Sequence, residues 1–136
     1  MAEIWLVSAP LIDVYGASAN NKANIQIYKK NGTNAQKFTF ELTQQGYYTI
    51  KTSSGKVLDV ASGKAASGTN VWQYTANGTD AQKWKLTKDA NGSYEIRSAL
   101  GAFVLDVYAG KMANKSNVQI WKPNGTDAQR YYLSAA

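Results

Sequence analysis

Residues 104–131 read VLDVYAGKMANKSNVQIWKPNGTDAQRY, and the chain contains this segment three times in related form. The other two copies are residues 11–38 and 57–84. Every copy has an aspartate at its third position: Asp13, Asp59 and Asp106, which lie 46 and 47 residues apart. No gap is needed to align the copies. A fixed period of this length indicates repeated supersecondary units that share one core.

Within a copy the side chains follow the pattern of β-strands. The segment NVQIWK (117–122) is rich in β-branched and aromatic residues. The segment QKWKL (82–86) alternates polar and apolar side chains with a period of two. Glycine, asparagine and serine lie between such runs, where turns are expected. No segment has the spacing of an amphipathic helix, so the sequence predicts an all-β chain, with Trp5, Phe38 and Trp84 in its core.

The number and length of the units limit the architecture. Propeller blades have a similar length, but a propeller typically needs at least four blades to close, and the Trp-Asp and Gly-His pairs of such blades are missing. Three units of roughly four strands instead suit a closed barrel with pseudo-threefold symmetry, a β-trefoil. We therefore expect a single domain over residues 1–136, with pseudo-symmetric repeats of about 46 residues at approximately 1–45, 46–91 and 92–136.

The composition excludes several kinds of site. The 136 residues include no cysteine and no histidine, which removes disulfides, thiolate chemistry, and the commonest general base and metal ligand. The aspartates come one per repeat, too far apart for the paired carboxyls of a glycosidase. One acidic residue per site loop also makes no strong calcium cage. We expect no catalysis, no cofactor and no bound metal.

The net charge and the N-terminal residues limit which partners the chain is expected to bind. The net charge is +6, but the lysines are scattered, with Lys29 and Lys30 the only adjacent pair. Nucleic-acid binding usually needs a clustered basic face, so we expect no nucleic-acid partner. The opening residues lack a basic segment before a long apolar run, which predicts no signal peptide. No apolar stretch is long enough to insert into a membrane, and the core needs no partner chain, so a monomer is expected.

Each unit ends in glutamine, one further residue and an aromatic residue: Gln36-Lys37-Phe38, Gln82-Lys83-Trp84 and Gln129-Arg130-Tyr131. This arrangement resembles the Gln-x-Trp signature of ricin-B-type lectin domains, which also occur as carbohydrate-binding modules on bacterial glycosidases. Only Trp84 keeps the tryptophan, and Phe38 and Tyr131 replace it in the other repeats. The Leu-Asp-Val start and the Asn-Gly-Thr-Asp-Ala-Gln loop are also similar to the family, and the resemblance covers the whole chain.

The resemblance implies a non-catalytic lectin that binds galactose-type or other neutral glycans at up to three shallow sites. A free lectin and an accessory module of a larger glycoside hydrolase both fit it. Glycans on a polysaccharide, a glycoprotein or a cell surface are the expected partners. Such a function favours an extracellular or cell-surface location, although the sequence itself leaves the location unknown.

The chemistry of a sugar explains why these residue types can bind one. The C–H face of a pyranose stacks on an aromatic ring, and an ionised carboxylate accepts hydrogen bonds from two neighbouring hydroxyls. The family's ligand aspartate and stacking aromatic map onto Asp13 with Tyr28 and onto Asp106 with Trp121. The predicted sugar-binding residues form one set per repeat: Asp13, Tyr15, Gln26, Tyr28 and Asn31; Asp59, Tyr74 and Asn77; and Asp106, Tyr108, Gln119, Trp121 and Asn124.

Repeat two departs from this pattern. Trp72 stands where the other repeats have glutamine, and Gln73 lies one place further on. A shift of one place puts Gln73 on the opposite face of its strand. Trp72 either rebuilds the site as a second aromatic wall or blocks it, and Ala61 replaces the additional tyrosine. We expect this site to be weaker or to differ in specificity.

Several alternatives stay open at the level of sequence. The three aspartates are also explained as structural turn formers, and Tyr15 and Tyr108 as surface packing. The glutamines of the Gln-x-aromatic motif are expected to tie down a loop, and the residue two places before each of them to fix a turn or to reach the sugar. A heparin- or other polyanion-binding trefoil and a protein-binding, protease-inhibitor-like trefoil remain alternative functions, because fold alone does not decide function.

Overall fold

The structure, a computed structural model, describes residues 1–136. Its strands, in chain order, are β1 (Ala2–Leu6), β2 (Leu11–Val14), β3 (Ile25–Tyr28), β4 (Thr39–Leu42), β5 (Tyr48–Lys51), β6 (Val57–Val60), β7 (Val71–Tyr74), β8 (Trp84–Lys88), β9 (Tyr94–Ser98), β10 (Val104–Val107), β11 (Val118–Trp121) and β12 (Tyr131–Ala135). Its helical segments are 3-10 turns of three residues: Tyr15–Ala17, Asn34–Gln36, Gln44–Gly46, Ala61–Gly63, Asp80–Gln82, Tyr108–Gly110 and Asp127–Gln129. No helix has the length and apolar character needed to cross a membrane. The all-β prediction is confirmed.

Six strands form a closed barrel. They form three antiparallel pairs: β4 with β5, β8 with β9, and β12 with β1. Neighbouring pairs join through Tyr48 opposite Trp84 and Tyr94 opposite Tyr131. The third join is a pair of backbone hydrogen bonds between Ala2 and Phe38, 2.6 and 2.8 Å long. Because this join returns β1 to β4, the sheet closes on itself.

The other six strands form three hairpins, β2–β3, β6–β7 and β10–β11, which all have the same register. Strands β3, β7 and β11 contact one another around the pseudo-threefold axis. There the side chains of Asn24, Asn70 and Asn117 form a ring, in which each Nδ2 donates to the Oδ1 of another at 2.7–2.8 Å. Four strands thus recur three times, which confirms the predicted β-trefoil.

The core contains one aromatic residue from each repeat at equivalent positions. Phe38, Trp84 and Tyr131 are all 0% exposed and belong to one cluster of 21 buried residues. The core positions predicted for Phe38 and Trp84 are therefore confirmed. These side chains replace one another because the symmetric fold offers each of them an equivalent apolar slot.

The core position predicted for Trp5 is wrong. In β1 the buried side chains of Ile4 and Leu6 face the core, and Trp5 between them is only partly buried. Successive side chains of a strand point to opposite faces, so Trp5 lies on the outside of the barrel. Its indole nitrogen donates to Ser134 Oγ at 3.0 Å, and the Lys30 ammonium lies 5.6 Å from its ring centre.

Candidate functional site

Three clefts lie at equivalent places, one for each repeat, and we number them by the repeat that supplies the aspartate. Their volumes are about 380 Å³ for cleft 1, 450 Å³ for cleft 2 and 720 Å³ for cleft 3. The predicted residues all line these clefts: Asp13, Tyr15, Gln26, Tyr28 and Asn31 line cleft 1; Asp59, Tyr74 and Asn77 line cleft 2; Asp106, Tyr108, Gln119, Trp121 and Asn124 line cleft 3. The structure thus brings each predicted set together.

The register of the hairpins places a side chain directly opposite each aspartate. Asp13 on β2 faces Gln26 on β3, whose Nε2 donates to Asp13 Oδ1 at 3.2 Å. Asp106 on β10 faces Gln119 on β11, whose Nε2 donates to Asp106 Oδ1 at 3.3 Å. In clefts 1 and 3 the amide therefore fixes one carboxylate oxygen while its own carbonyl oxygen remains available as an acceptor.

The glutamine of the Gln-x-aromatic motif fixes the second carboxylate oxygen in cleft 1. Gln36 Nε2 donates to Asp13 Oδ2 at 3.0 Å and to the Lys29 carbonyl at 2.9 Å. Gln36 Oε1 accepts from the backbone N–H of Asn31 at 3.0 Å. Gln129 makes the same three kinds of contact in cleft 3, with Asp106, Lys122 and Asn124. This glutamine ties the loop to the aspartate, as its expected structural role requires.

The three carboxylates are nearly enclosed, with exposures of 4% for Asp13, 7% for Asp59 and 5% for Asp106. Burial raises the pKa of each of them above the ordinary value of 3.8, because it disfavours the charged form. Side-chain hydrogen bonds to the carboxylates oppose this rise in pKa. The result is an acceptor whose orientation is fixed and whose remaining lone pairs are available at the cleft.

Aromatic rings and a loop asparagine complete each cleft. Tyr28, Tyr74 and Trp121 are partly buried, whereas Tyr15 and Tyr108 are 56% and 59% exposed. Both exposed tyrosines line their cleft, which favours the site-wall interpretation over surface packing. The loop asparagines are Asn31, Asn77 and Asn124. In each of them Oδ1 accepts a hydrogen bond, 2.7 Å long, from the hydroxyl of the threonine two residues later. Their Nδ2 groups are then the donors that a ligand can use.

Repeat two reaches a similar geometry with different chemistry. Trp72 occupies the register position opposite Asp59, and its Nε1 donates to Asp59 Oδ2 at 2.6 Å. Its ring stacks on Tyr74 with centres 6.4 Å apart and an interplanar angle of 26°. Trp72 therefore forms a wall and leaves the cleft open. Gln73, shifted by one place, is fully buried and donates to the backbone carbonyls of Ser18 and Asn20.

Sequence reasoning missed some residues that line the clefts. Lys115 of repeat three lies in cleft 1, and Lys22 of repeat one lies in cleft 2. The sequence shows that Lys22 and Lys115 occupy equivalent positions in their repeats. It does not show that a residue of one repeat lines the cleft of another. Asp80 and Asp127 line clefts 2 and 3, whereas Asn34 lies outside cleft 1. The chain has no group of three or more acidic residues placed to hold a metal ion.

The chain is similar to one family of domains and to several proteins of known structure. The sequence model of the family described as ricin-type beta-trefoil lectin domain-like matches residues 34–121, more than half of the chain. No curated protein sequence matches the chain. The designed threefold-symmetric protein ThreeFoil superimposes with a TM-score of 0.97 at 28% identity, over 99% of this chain and 98% of its own.

Two natural proteins of known structure are also similar to the chain. The exo-β-1,3-galactanase 1,3Gal43A from Clostridium thermocellum has a TM-score of 0.96 at 28% identity, and the match covers 99% of this chain but 30% of the enzyme. The agglutinin of Rhizoctonia solani has a TM-score of 0.86 at 26% identity, over 97% of this chain and 92% of the agglutinin.

Proposed function

The chain belongs to the ricin-type β-trefoil lectin domain-like family, and we propose that it is a non-catalytic module that binds galactose-type or other neutral glycans in its three clefts. One observation supports this most strongly. In clefts 1 and 3 a buried aspartate has both oxygens held by glutamine amides, and an aromatic ring lines the same cleft. A pre-oriented acceptor beside an apolar face suits the two surfaces of a pyranose.

The proposed contacts follow from the chemistry of each group. The carboxylate accepts from two neighbouring hydroxyls, because an ionised aspartate has only acceptor sites. The ring of Tyr28, Tyr74 or Trp121 stacks on the C–H face of the sugar. The loop asparagine donates from Nδ2 to a third hydroxyl, and the exposed Tyr15 or Tyr108 adds a side wall in clefts 1 and 3. Since the glutamines already hold the aspartates, little side-chain conformational entropy is lost when the sugar binds.

Three similar sites make multivalency the source of useful affinity. A single shallow site should bind one sugar with a dissociation constant of about 1 mM, or about −4 kcal/mol. Two or three sites that engage one polysaccharide or one cell surface raise the overall affinity by about 100- to 10,000-fold without any new contact. A repeat architecture provides these sites within one small domain.

The proposed unit is the whole of residues 1–136, acting as a monomer at an extracellular or cell-surface location and without nucleic-acid or membrane partners. The match to about a third of the galactanase supports a role as an accessory module of a larger glycoside hydrolase. In that case catalysis belongs to another domain, and this chain holds the enzyme on its polymer.

The experiment is a glycan array, followed by titration of the best ligand against Asp13→Asn, Asp59→Asn and Asp106→Asn. Glu41→Gln is the matched control, because it removes the same charge from an exposed surface pair with Lys51. We expect a neutral glycan to bind and each site variant to weaken it, with the smallest loss for Asp59→Asn. Binding of sulfated glycans alone, with steep salt dependence and no effect of these variants, would replace the proposal with a polyanion-binding function.

A further inference from the structure

Two clefts are lined by a residue from a different repeat, Lys115 in cleft 1 and Lys22 in cleft 2. The equivalent position beside cleft 3 is Gly68, next to the Trp121 ring. Lys115 N–H donates to the Ile27 carbonyl at 2.7 Å, and Ile27 N–H donates to the Ser116 carbonyl at 3.0 Å. Ile27 lies on β3 between Gln26 and Tyr28, so this pair of bonds fixes Lys115 beside both residues of cleft 1. The backbone thus holds the lysine in a defined place.

The other two repeats have the same backbone arrangement. Lys22 N–H donates to the Gln73 carbonyl on β7 at 2.8 Å, and its ammonium lies 5.6 Å from the Trp72 ring centre in cleft 2. Gly68 N–H donates to the Ile120 carbonyl on β11 at 2.8 Å. A Cβ atom at Gly68 would lie 3.5 Å from the Trp121 ring, so a side chain there would border cleft 3.

The charges of the clefts differ, both at this inter-repeat position and in the number of aspartates that line each cleft. Cleft 1 contains one aspartate and one lysine. Cleft 2 contains Asp59 and Asp80 with Lys22. Cleft 3 contains Asp106 and Asp127 without any basic residue, and it is the largest of the three. Neither Lys22 nor Lys115 forms an ion pair within the protein, so the charge of each ammonium is not neutralised by an acidic side chain.

We propose that this inter-repeat position, together with the loop aspartates Asp80 and Asp127, determines the charge of the glycan that each cleft selects. Cleft 1 selects sugars that carry a carboxylate, such as hexuronic acids, because Lys115 supplies the counter-charge at its wall. Cleft 3 selects neutral sugars, because its two carboxylates repel an anion and Gly68 offers no cation. Cleft 2, with two aspartates and one lysine, has an intermediate preference. The inference rests on the proposed sugar-binding function, and it makes Lys115 a specificity-determining residue.

The size of the effect follows from the exposure of the lysine. Lys115 is exposed, so the attraction between its ammonium and a ligand carboxylate is that of a surface ion pair, screened by salt. Such a pair is expected to change affinity by about fivefold at low ionic strength. The hydroxyl contacts of Asp13 remain the larger part of binding, and a sugar without the carboxylate still binds.

The test uses the intact chain and reads the clefts separately. The backbone amides of Asn31, Asn77 and Asn124 occupy the same position in each cleft, and their NMR shifts can be followed in one titration. The probes are matched pairs of methyl glycosides that differ only at C6: β-galactoside with β-galacturonide, and β-glucoside with β-glucuronide. We expect the Asn31 signal to report about fivefold tighter binding of a uronide, and the Asn124 signal to report tighter binding of the neutral sugar.

The variants separate charge from structure. Lys115→Met should abolish the uronide preference of cleft 1, measured as the ratio of the affinities for the two matched sugars, whereas Lys115→Arg should keep the preference. Lys64→Met removes an equal charge from an exposed site that lines no cleft, and it should change neither value. Gly68→Lys should weaken the preference of cleft 3 for the neutral sugar to that of cleft 2, which has the same two aspartates and one lysine. Lysine already occupies the equivalent left-handed backbone at Lys22 and Lys115, with φ of 69° and 72°.

A uronide preference that survives Lys115→Met, or equal binding of both sugars at Asn31, would overturn the inference while leaving the sugar-binding function in place. No shift at any of the three amides with any of the four glycosides would overturn both. The two failures are therefore distinguishable.

Discussion

Trp72 donates its indole N–H to Asp59 across the hairpin, at the register position where Gln26 and Gln119 donate to their own aspartates. Two different kinds of side chain thus orient the carboxylate at equivalent positions of the three repeats. The indole has no acceptor, whereas a glutamine amide retains its carbonyl oxygen for a ligand. Cleft 2 consequently exchanges one polar contact for a second aromatic wall, and a different specificity is the expected consequence.

Replacement of Trp72 tests the importance of that hydrogen bond. Trp72→Phe keeps an aromatic ring but removes the donor to a buried carboxylate, and we expect the affinity of cleft 2 to fall about tenfold, near 1.4 kcal/mol. Trp72→Gln restores a donor at the same register position and should recover most of the loss. Titration with the Asn77 amide as reporter measures both, and clefts 1 and 3 are internal controls. A larger loss in Trp72→Gln than in Trp72→Phe would indicate that the indole matters only as a wall.

Acidification should release the ligand before it unfolds the protein. Burial raises the folded-state pKa of Asp13, Asp59 and Asp106 above 3.8, so these carboxyls are easier to protonate in the folded chain than in the unfolded one. Their burial cost is present above the raised pKa and is relieved as the pH falls through it, which favours the fold. The same protonation removes charge from the acceptor of the sugar hydroxyls. Binding should therefore decline at a pH above 3.8.

Affinity and near-UV circular dichroism, recorded on the same samples over that pH range, check this order of events. Asp89 acts in the opposite direction, because hydrogen bonding from Ser93 lowers its pKa. Its contribution to stability is lost only as the pH falls through that lower pKa. Loss of the dichroism signal together with binding would contradict the expected separation.

The sequence alone predicts the β-trefoil because two signals agree. The period of the aspartates sets three equivalent units, and the alternation of side chains makes each unit β. The resemblance to ricin-B-type lectin domains adds the residues expected in each cleft, and the structure groups them because the aspartate and the aromatic residue lie on paired strands of one hairpin. Local pairing of this kind depends only on sequence neighbours within about 30 residues, and the period of the repeat shows it directly.

Contacts between repeats were the part that sequence reasoning could not supply. Lys115 reaches cleft 1, and Asn24 meets Asn70 and Asn117, only because the closed barrel brings three hairpins together at one axis. The error at Trp5 has a related cause. An aromatic residue between apolar neighbours resembles a core residue, but the alternation of β1 assigns the core to Ile4 and Leu6.

Gln73 carries a polar group into the core, and its replacement should stabilise the protein. Gln73 is 0% exposed and lies opposite Leu58, in the register position that isoleucine occupies in the other two repeats. Its Oε1 has no hydrogen-bond partner. Because an unsatisfied buried acceptor costs about 1–3 kcal/mol, Gln73→Ile should raise the free energy of unfolding by about 1 kcal/mol, measured by urea denaturation.

The reciprocal change, Ile27→Gln, is the matched control and should lower the free energy of unfolding. The amide of Gln73 also donates to the carbonyls of Ser18 and Asn20, at 2.9 and 2.8 Å. Solvent can replace a donor at this loop, since Asn20 is exposed and Ser18 partly so. A loss of stability in Gln73→Ile would mean that these two hydrogen bonds outweigh the unpaired oxygen.

The asparagine ring on the pseudo-threefold axis should behave as one cooperative unit. Each member donates one hydrogen bond and accepts another, so Asn24→Ala breaks two bonds and leaves an unpaired Asn117 acceptor and an unpaired Asn70 donor. Both partners are partly buried, and we expect a loss of about 2 kcal/mol in the free energy of unfolding. Replacement of all three asparagines leaves no orphaned partner, so the triple variant should lose much less than three times the single loss. Urea denaturation of the single, double and triple variants, with exposed Asn91→Ala as control, measures this, and strictly additive losses would show that the three amides act independently.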